Sequence, residues 1–200
     1  MNQPILIRDF VAKPPDALAD LAPWAATQRA EQLVGQFVAA AGLDFIKSDG
    51  IAIHKSTVIE KGAVLKGPIY IGPNCMVAAG AYLRGGVWLE GDDIIGPACE
   101  VKTTFMFSNS KMAHLSFVGD SILGRDVNIE AGAMIANYRN EKSDKQIRIL
   151  YKGQMIDTGG MKFGAMIGDH ARIGANAVIA PGAVLEKGTI VKRLQLVDQS

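Results

Sequence analysis

The chain has 200 residues, 48% of them hydrophobic, and a formal net charge of +1. That is one globular domain with room for an appendage, without the basic balance that would mark a nucleic-acid or membrane partner. The start, Met1 to Phe10, lacks the basic region and long apolar run of a leader peptide. No stretch is long enough to span a bilayer, so a cytoplasmic protein is expected.

Taken in chain order, residues 1–47 read as an N-terminal helical cap or extension. Between Asp16 and Ala41, the residues Leu33, Val34, Phe37, Val38 and Ala41 follow helical spacing and make one apolar stripe. Pro14 and Pro15 precede it, Pro23 breaks it into two pieces, and Gly42 is placed to stop it. Two uses fit such a helix. It covers the open first coil of the repeats that follow, because an uncapped solenoid end exposes unpaired backbone, or it binds a partner. The first is the simpler expectation.

Residues 48–200 read as the second unit, and from about Ile53 to Arg193 the chain repeats a six-residue phrase: a branched aliphatic, a Gly or small residue, two variable residues, then a small residue and a filler. It stands in Ile71-Gly72-Pro73-Asn74-Cys75, Ile95-Gly96-Pro97-Ala98-Cys99, Ile167-Gly168-Asp169-His170-Ala171 and Ile173-Gly174-Ala175-Asn176-Ala177. Looser copies run through Ile59, Val77, Ile129 and Leu185. Each unit can bury its aliphatic residue only by stacking on its neighbours, so the product is a solenoid. Three units make one triangular coil of eighteen residues. This is the pattern of an all-β solenoid, the left-handed parallel β-helix, an exception to the right-handed crossover rule. About six coils at near 4.8 Å spacing predict a prism roughly 30 Å tall. Cys75 and Cys99 both fill the small corner slot, so reduced, buried thiols are expected in place of a disulfide framework.

Two loop insertions are expected, at about 103–121 and 139–162, and loops leaving a rigid scaffold are where binding groups concentrate. The alternation from Ile147 to Tyr151 predicts a small hairpin. Its Arg and Lys residues form either a solvated face or a surface for an anionic substrate.

Arg84 and Lys102 are eighteen residues apart, one whole coil, and should stack. Such cations repel unless something anionic lies between them, and a phosphate is the natural occupant, although surface cations also stack by chance. Of the three histidines, His54 and His170 fall at variable repeat positions, whereas His114 falls in the first interruption. Imidazole suits a general base near neutral pH, but a lone histidine is more often structural.

The runs Glu100-Val101-Lys102, Lys111-Met112-Ala113-His114-Leu115-Ser116-Phe117-Val118-Gly119-Asp120, Asn128-Ile129-Glu130-Ala131-Gly132 and Asn137-Tyr138 are more specific than the hexapeptide pattern. They resemble the acetyltransferase domain of the bifunctional UDP-N-acetylglucosamine pyrophosphorylase/glucosamine-1-phosphate N-acetyltransferase family. The resemblance is good from about Arg84 to Tyr138. Asp157 to Gly164 looks more like the archaeal-type sugar-1-phosphate nucleotidyltransferases of that group.

The resemblance implies acetyl transfer from acetyl-CoA, as co-substrate and without a metal, to the 2-amino group of a hexosamine 1-phosphate. It implies His114 as general base and Glu100 as the acid near it. Arg84 and Lys102 match the phosphate-binding pair, Asn128 and Asn137 the residues holding the amino sugar, and Tyr138 a phosphate contact. Ala131 and Ala175 match positions along which acetyl-CoA lies, and a further family lysine falls on Lys142 or Lys145. A homotrimer is the habit of the fold.

Phe117 departs from the family, which has a tyrosine there. The loss of one hydrogen bond is typically about 1 kcal/mol. The short extension after Arg193 and the fifty residues before the coils leave no counterpart of the family's C-terminal arm or nucleotidyltransferase domain, so uridylyl transfer is not expected of this chain. Two other readings compete, acyl transfer to a nucleotide-linked amino sugar and a non-catalytic trimeric scaffold. A β-helix carbonic anhydrase would need three convergent histidines, and the offsets of 60 and 56 among His54, His114 and His170 are not whole coils.

Overall fold

The structure, a computed structural model, describes residues 5–199; Met1 to Pro4, where the reading for a leader peptide begins, lie outside them. The chain opens with four short helices, α1 (Ile7–Phe10), α2 (Asp16–Ala19), α3 (Pro23–Gln28) and α4 (Ala30–Ala40). Pro23 takes the first position of α3, where its missing N–H costs nothing. A left-handed parallel β-helix of three faces follows. Among the described residues no helix is long and apolar enough to cross a membrane.

Face one stacks seven two-residue strands: Val58–Ile59, Met76–Val77, Ile94–Ile95, Lys111–Met112, Asn128–Ile129, Arg172–Ile173 and Ile190–Val191. That is one coil more than the expected six. Face two runs through Leu65, Leu83, Val101, Val118, Ile135, Ile179 and Val197, which all point inward. The interior is a continuous stack of Ile, Val and Leu. Cys75 and Cys99 sit in the corners as free, buried thiols, and burial pushes both up, Cys75 to about 12.

The first expected insertion does not exist. Residues 103–121 build ordinary coil, in strands Glu100–Met106, Lys111–Met112 and Phe117–Gly119. Ile95, Met112 and Ile129 are direct partners, so these coils have seventeen residues and the eighteen-residue phase slips. The second insertion is real. Asn128 pairs directly with Arg172 across it, and it holds an antiparallel hairpin of Arg148–Tyr151 with Gln154–Asp157.

Face three explains the N-terminal helices. Its outward positions stack Ala52, Tyr70, Trp88, Phe105, Ile122, Met166 and Val184 in one file. Strands apolar on both sides must be covered on both, and each large side chain contributes about 2 kcal/mol once removed from water. The helices and the insertion supply the cover. Phe37 packs on Trp88 at 5.5 Å and on Tyr70 at 6.1 Å, and Trp24 meets Phe163 edge-on. Gly86, at φ +87°, is required here, because a Cβ would lie 2.8 Å from the carbonyl carbon of Ala30. The helices therefore lie along a flank and do not cap the first coil. That edge is met by strand Phe45–Ser48, which pairs antiparallel with Ile51–His54.

The buried Asp169 ties the N-terminal segment to the prism. It accepts the amides of Ala12 and Arg125, each at 2.7 Å, and the Arg125 side chain returns to the carbonyl of Ala12 and pairs with Glu90.

Asp93 is wholly buried in a corner, accepting the amides of Ser110 at 2.9 Å and Gly91 at 3.3 Å. Burial pushes its carboxyl up to about 8, against the opposing pull of those amides. Between about pH 4 and 8 the folded chain keeps a proton that the unfolded chain has lost. Stability should therefore fall as pH rises through that window, by at most about 1.4 kcal/mol per unit, and level above it. Urea unfolding of wild type and Asp93→Asn across pH 4–9 checks this, since the variant should lack the slope.

Candidate active site

His114 lies at the corner between faces one and two, exposed, beside Leu115 held at φ +62°. The corner is a ladder. Leu115 N donates to Pro97 O at 3.2 Å, Gly132 N to His114 O at 3.1 Å, Asn176 N to Ala131 O at 3.0 Å, and Leu194 N to Ala175 O at 3.0 Å. Pro97, His114, Ala131 and Ala175 therefore stand in one file, a relation invisible in a sequence that separates Ala131 from Ala175 by the insertion. The amide of Ala175 donates to Glu130 at 2.8 Å, and Glu130 is held by Arg193. The amides of His114 and Ala131 have no acceptor among the described residues.

Face two carries the cations. Arg84 and Lys102 are direct partners, with Gly119 next in the file. The expected one-coil stack is present, but each cation already has a carboxylate. Arg84 donates from Nε at 2.9 Å and Nη2 at 2.6 Å to Glu100 Oε1. Lys102 Nζ lies 2.8 and 3.1 Å from the two oxygens of Asp120. The Asn137 amide donates to the same Asp120 carboxylate. Repulsion between the cations is offset inside the protein, so the stack by itself does not demand a phosphate. Glu100 is held by Arg84, and no hydrogen bond joins it to His114 among the described residues.

Arg84, Lys102, Phe117, Asn137 and Tyr138 line one depression of about 520 Å³, together with Lys162. Gly119 makes room for it, since a Cβ there would lie 2.7 Å from both the Phe117 ring and the Asn137 amide. Phe117 brings a bare ring edge to the wall. Sequence reasoning missed Lys162, which has no ion-pair partner among the described residues, because it falls at the end of the insertion. It also quoted Asp120 within a motif without giving it a role.

Two expected residues lie apart. Asn128 projects from face one, between Lys111 and Arg172, into a separate depression with Glu130 and Arg193. Lys142 lines a third, among Arg139, Asp144 and Arg148. The insertion carries Lys142 away and instead sets Lys145 Nζ 5.3 Å from the centre of the Tyr138 ring. Among the described residues no group of three or more His, Cys, Asp or Glu is gathered to hold a metal.

Two family profiles match. The description "Bacterial transferase hexapeptide (six repeats)" covers residues 50–85, and "Hexapeptide repeat of succinyl-transferase" covers residues 164–192. Hexapeptide repeats are thus matched in two separate stretches of the chain. Over 136 residues it is 38% identical to a bifunctional sugar-1-phosphate nucleotidylyltransferase/acetyltransferase of Sulfurisphaera tokodaii, taking in 62% of this chain and 32% of the relative. Over 93 residues it is 40% identical to the bifunctional protein GlmU of Nitrosomonas europaea, taking in 46% of this chain and 19% of that one. The chain thus spans about a third or less of these relatives. It also has the fold of AntD, an N-acyltransferase from Bacillus cereus solved with dTDP-4-amino-4,6-dideoxyglucose and coenzyme A. The TM-score is 0.52 at 16% identity, covering 68% of this chain and 75% of that one.

Lys102 and Asp120 have side chains only 16% and 9% exposed. Removing one member of a mostly buried pair strands the other, typically at about 3 kcal/mol. Asp120→Ala should lower urea stability by that order. The double variant Lys102→Met/Asp120→Leu should recover part of the loss, and a fully additive cycle would show that the pair is uncoupled.

Proposed function

We propose that this chain transfers an acetyl group from acetyl-CoA to the amino group of a phosphorylated hexosamine, with glucosamine 1-phosphate the first acceptor to try. One observation carries the reading: the corner file of His114, Ala131 and Ala175 borders the face-two depression that holds Arg84, Lys102 and Asn137. The acetyltransferase half of the name of the Sulfurisphaera tokodaii relative, a bifunctional sugar-1-phosphate nucleotidylyltransferase/acetyltransferase, agrees with it.

In this mechanism acetyl-CoA lies along the small residues of the corner, and the sugar phosphate reaches Arg84, Lys102 and Lys162. The amine nitrogen attacks the thioester carbon as His114 takes its proton. The oxygen gains negative charge, which the unengaged amide of Ala131 is placed to meet. The carbon–sulfur bond breaks and the thiol leaves with a proton. Glu100 fixes the Arg84 fork, and Phe117 gives the sugar an apolar wall.

A homotrimer completes this reading. Val64, Met134, Val178 and Leu196 stand exposed on face two, and Val58, Met76 and Ile190 on face one. Met134, Val178 and Leu196 are direct neighbours in one file, and an exposed apolar run of this kind is normally covered. Three prisms meeting face one to face two would bring Asn128 of one protomer towards the depression of the next, which accounts for its separation here.

Thiol release from acetyl-CoA with glucosamine 1-phosphate and galactosamine 1-phosphate tests the proposal. His114→Ala should lower kcat by about 10²- to 10⁴-fold; turnover that is absent in wild type, or unaffected in the variant, would sink it. Light scattering should give three times the 21.3 kDa chain mass, and Val178→Asp should reduce it to a single chain.

A further inference from the structure

Lys162 and Tyr138 also line a second, larger space. A cleft of about 730 Å³ lies between the start of α4 and the prism, with Gln28, Arg29 and Gln32 on the helical wall and Thr103 and Asp120 on the other. The helices that cover face three thus also wall a cleft that shares Tyr138 and Lys162 with the face-two depression.

Groups follow one another in order across face two. His114 stands at one corner, then Phe117, then Lys102 beside Gly119, then Asp120 at the opposite side, where the cleft opens. At about 3.3 Å per residue, Phe117 and Asp120 are about 10 Å apart. An amino group at His114 and a first phosphate at Arg84 and Lys102 use up the face, and anything beyond that phosphate enters the cleft.

Charge points the same way. Arg84 is matched by Glu100 and Lys102 by Asp120. Lys162 at the junction and Arg29 on the helical wall have no ion-pair partner among the described residues, and Glu31 is the one further carboxylate lining the cleft. Uncompensated positive charge therefore continues past the first phosphate: Lys162 spans the junction and Arg29 lies beyond it, while Lys66 stacks on Arg84 on the near side. Gln28, Gln32, Thr103 and the backbone of Gly159 and Gly160 offer hydrogen bonds, and Ala30, Met161 and Tyr138 add apolar surface, a mixture that suits the ribose and base of a nucleoside.

We propose that this cleft binds the second phosphate and the nucleoside of an acceptor whose amino sugar is carried on a nucleoside diphosphate, with Lys162 and Arg29 as the diphosphate ligands. The proposal rests on the acyl-transfer reading for the position of the amino group, and it makes the N-terminal helices part of substrate selection.

Calorimetric titration of the full chain tests it, with UDP, dTDP, GDP and ADP, their monophosphates, and glucosamine 1-phosphate. At least one diphosphate should bind ten-fold or more tightly than its monophosphate. Arg29→Ala should abolish that preference while leaving glucosamine 1-phosphate binding and the melting temperature unchanged, and Lys162→Ala should weaken every phosphate probe. No preference for any diphosphate, or a preference that survives Arg29→Ala, would overturn the proposal. The two readings fail separately. Diphosphate binding without thiol release from any amino-sugar acceptor would reject the acyl transfer and leave the cleft supported, and the reverse pattern would reject the cleft alone.

Discussion

Stacking of like residues, coil upon coil, is the constraint from which the rest of this molecule follows. A hexapeptide unit has no core of its own, so its aliphatic side chain is buried only when the next coil places another above it. Once the backbone ladder is closed, side chains that are distant in sequence become neighbours in files. Arg84 meets Lys102, and Ala131 meets Ala175, because the ladder is indifferent to what the chain does between rungs. The insertion between Ile135 and Ala165 uses that freedom. The prism continues as though it were absent, and the excursion supplies Phe163, Ile147 and Ile149 to cover a flank and Lys162 to line the site.

The three faces are treated differently, and the difference decides where chemistry can occur. Face three has large apolar groups outside as well as inside, so it is committed to packing against the N-terminal helices and carries nothing reactive. Faces one and two keep polar and charged residues among exposed aliphatics, and the corner between them holds His114. The helical cover ends at α4, whose first turn overlooks the far side of face two. Covering an apolar flank and shaping a cleft are therefore consequences of the same packing.

The fold was legible because the repeat period is written directly in the order of aliphatic and small residues. What was lost is equally physical. A coil of seventeen residues is as good a rung as one of eighteen, so the slip at Ile95, Met112 and Ile129 looked like a loop although the chain never leaves the prism. Phe105 and Phe107 fall in the same stretch, and an aromatic pointing away from the prism interior makes sense only once its cover is known. At the candidate site, Arg84, Lys102, Phe117, Asn137 and Tyr138 were named from a motif and do converge. Lys142 was named from the same motif and does not, because loop length in an insertion fixes no register. Lys162 could not be found from spacing, as it reaches the depression only through the return of that insertion.

The charge pattern of face two changes how anion binding there should be understood. Spacing alone portrays two bare cations awaiting a phosphate. In the folded chain Arg84 and Lys102 are each neutralised by a carboxylate, so at these two residues a ligand meets oriented donors and the net positive charge of the depression comes from Lys162. Such pairs give geometry: Glu100 aims the guanidinium fork, and Asp120 positions both Lys102 and the Asn137 amide. Attraction over distance has to come from cations without carboxylates, among them Lys66 beside Arg84, Lys162 at the mouth and Arg29 on the helical wall. Orientation is thus assigned to the rigid prism, while the N-terminal helices and the insertion add positive charge beside it, Arg29 and Lys162, on the side where the larger cleft opens.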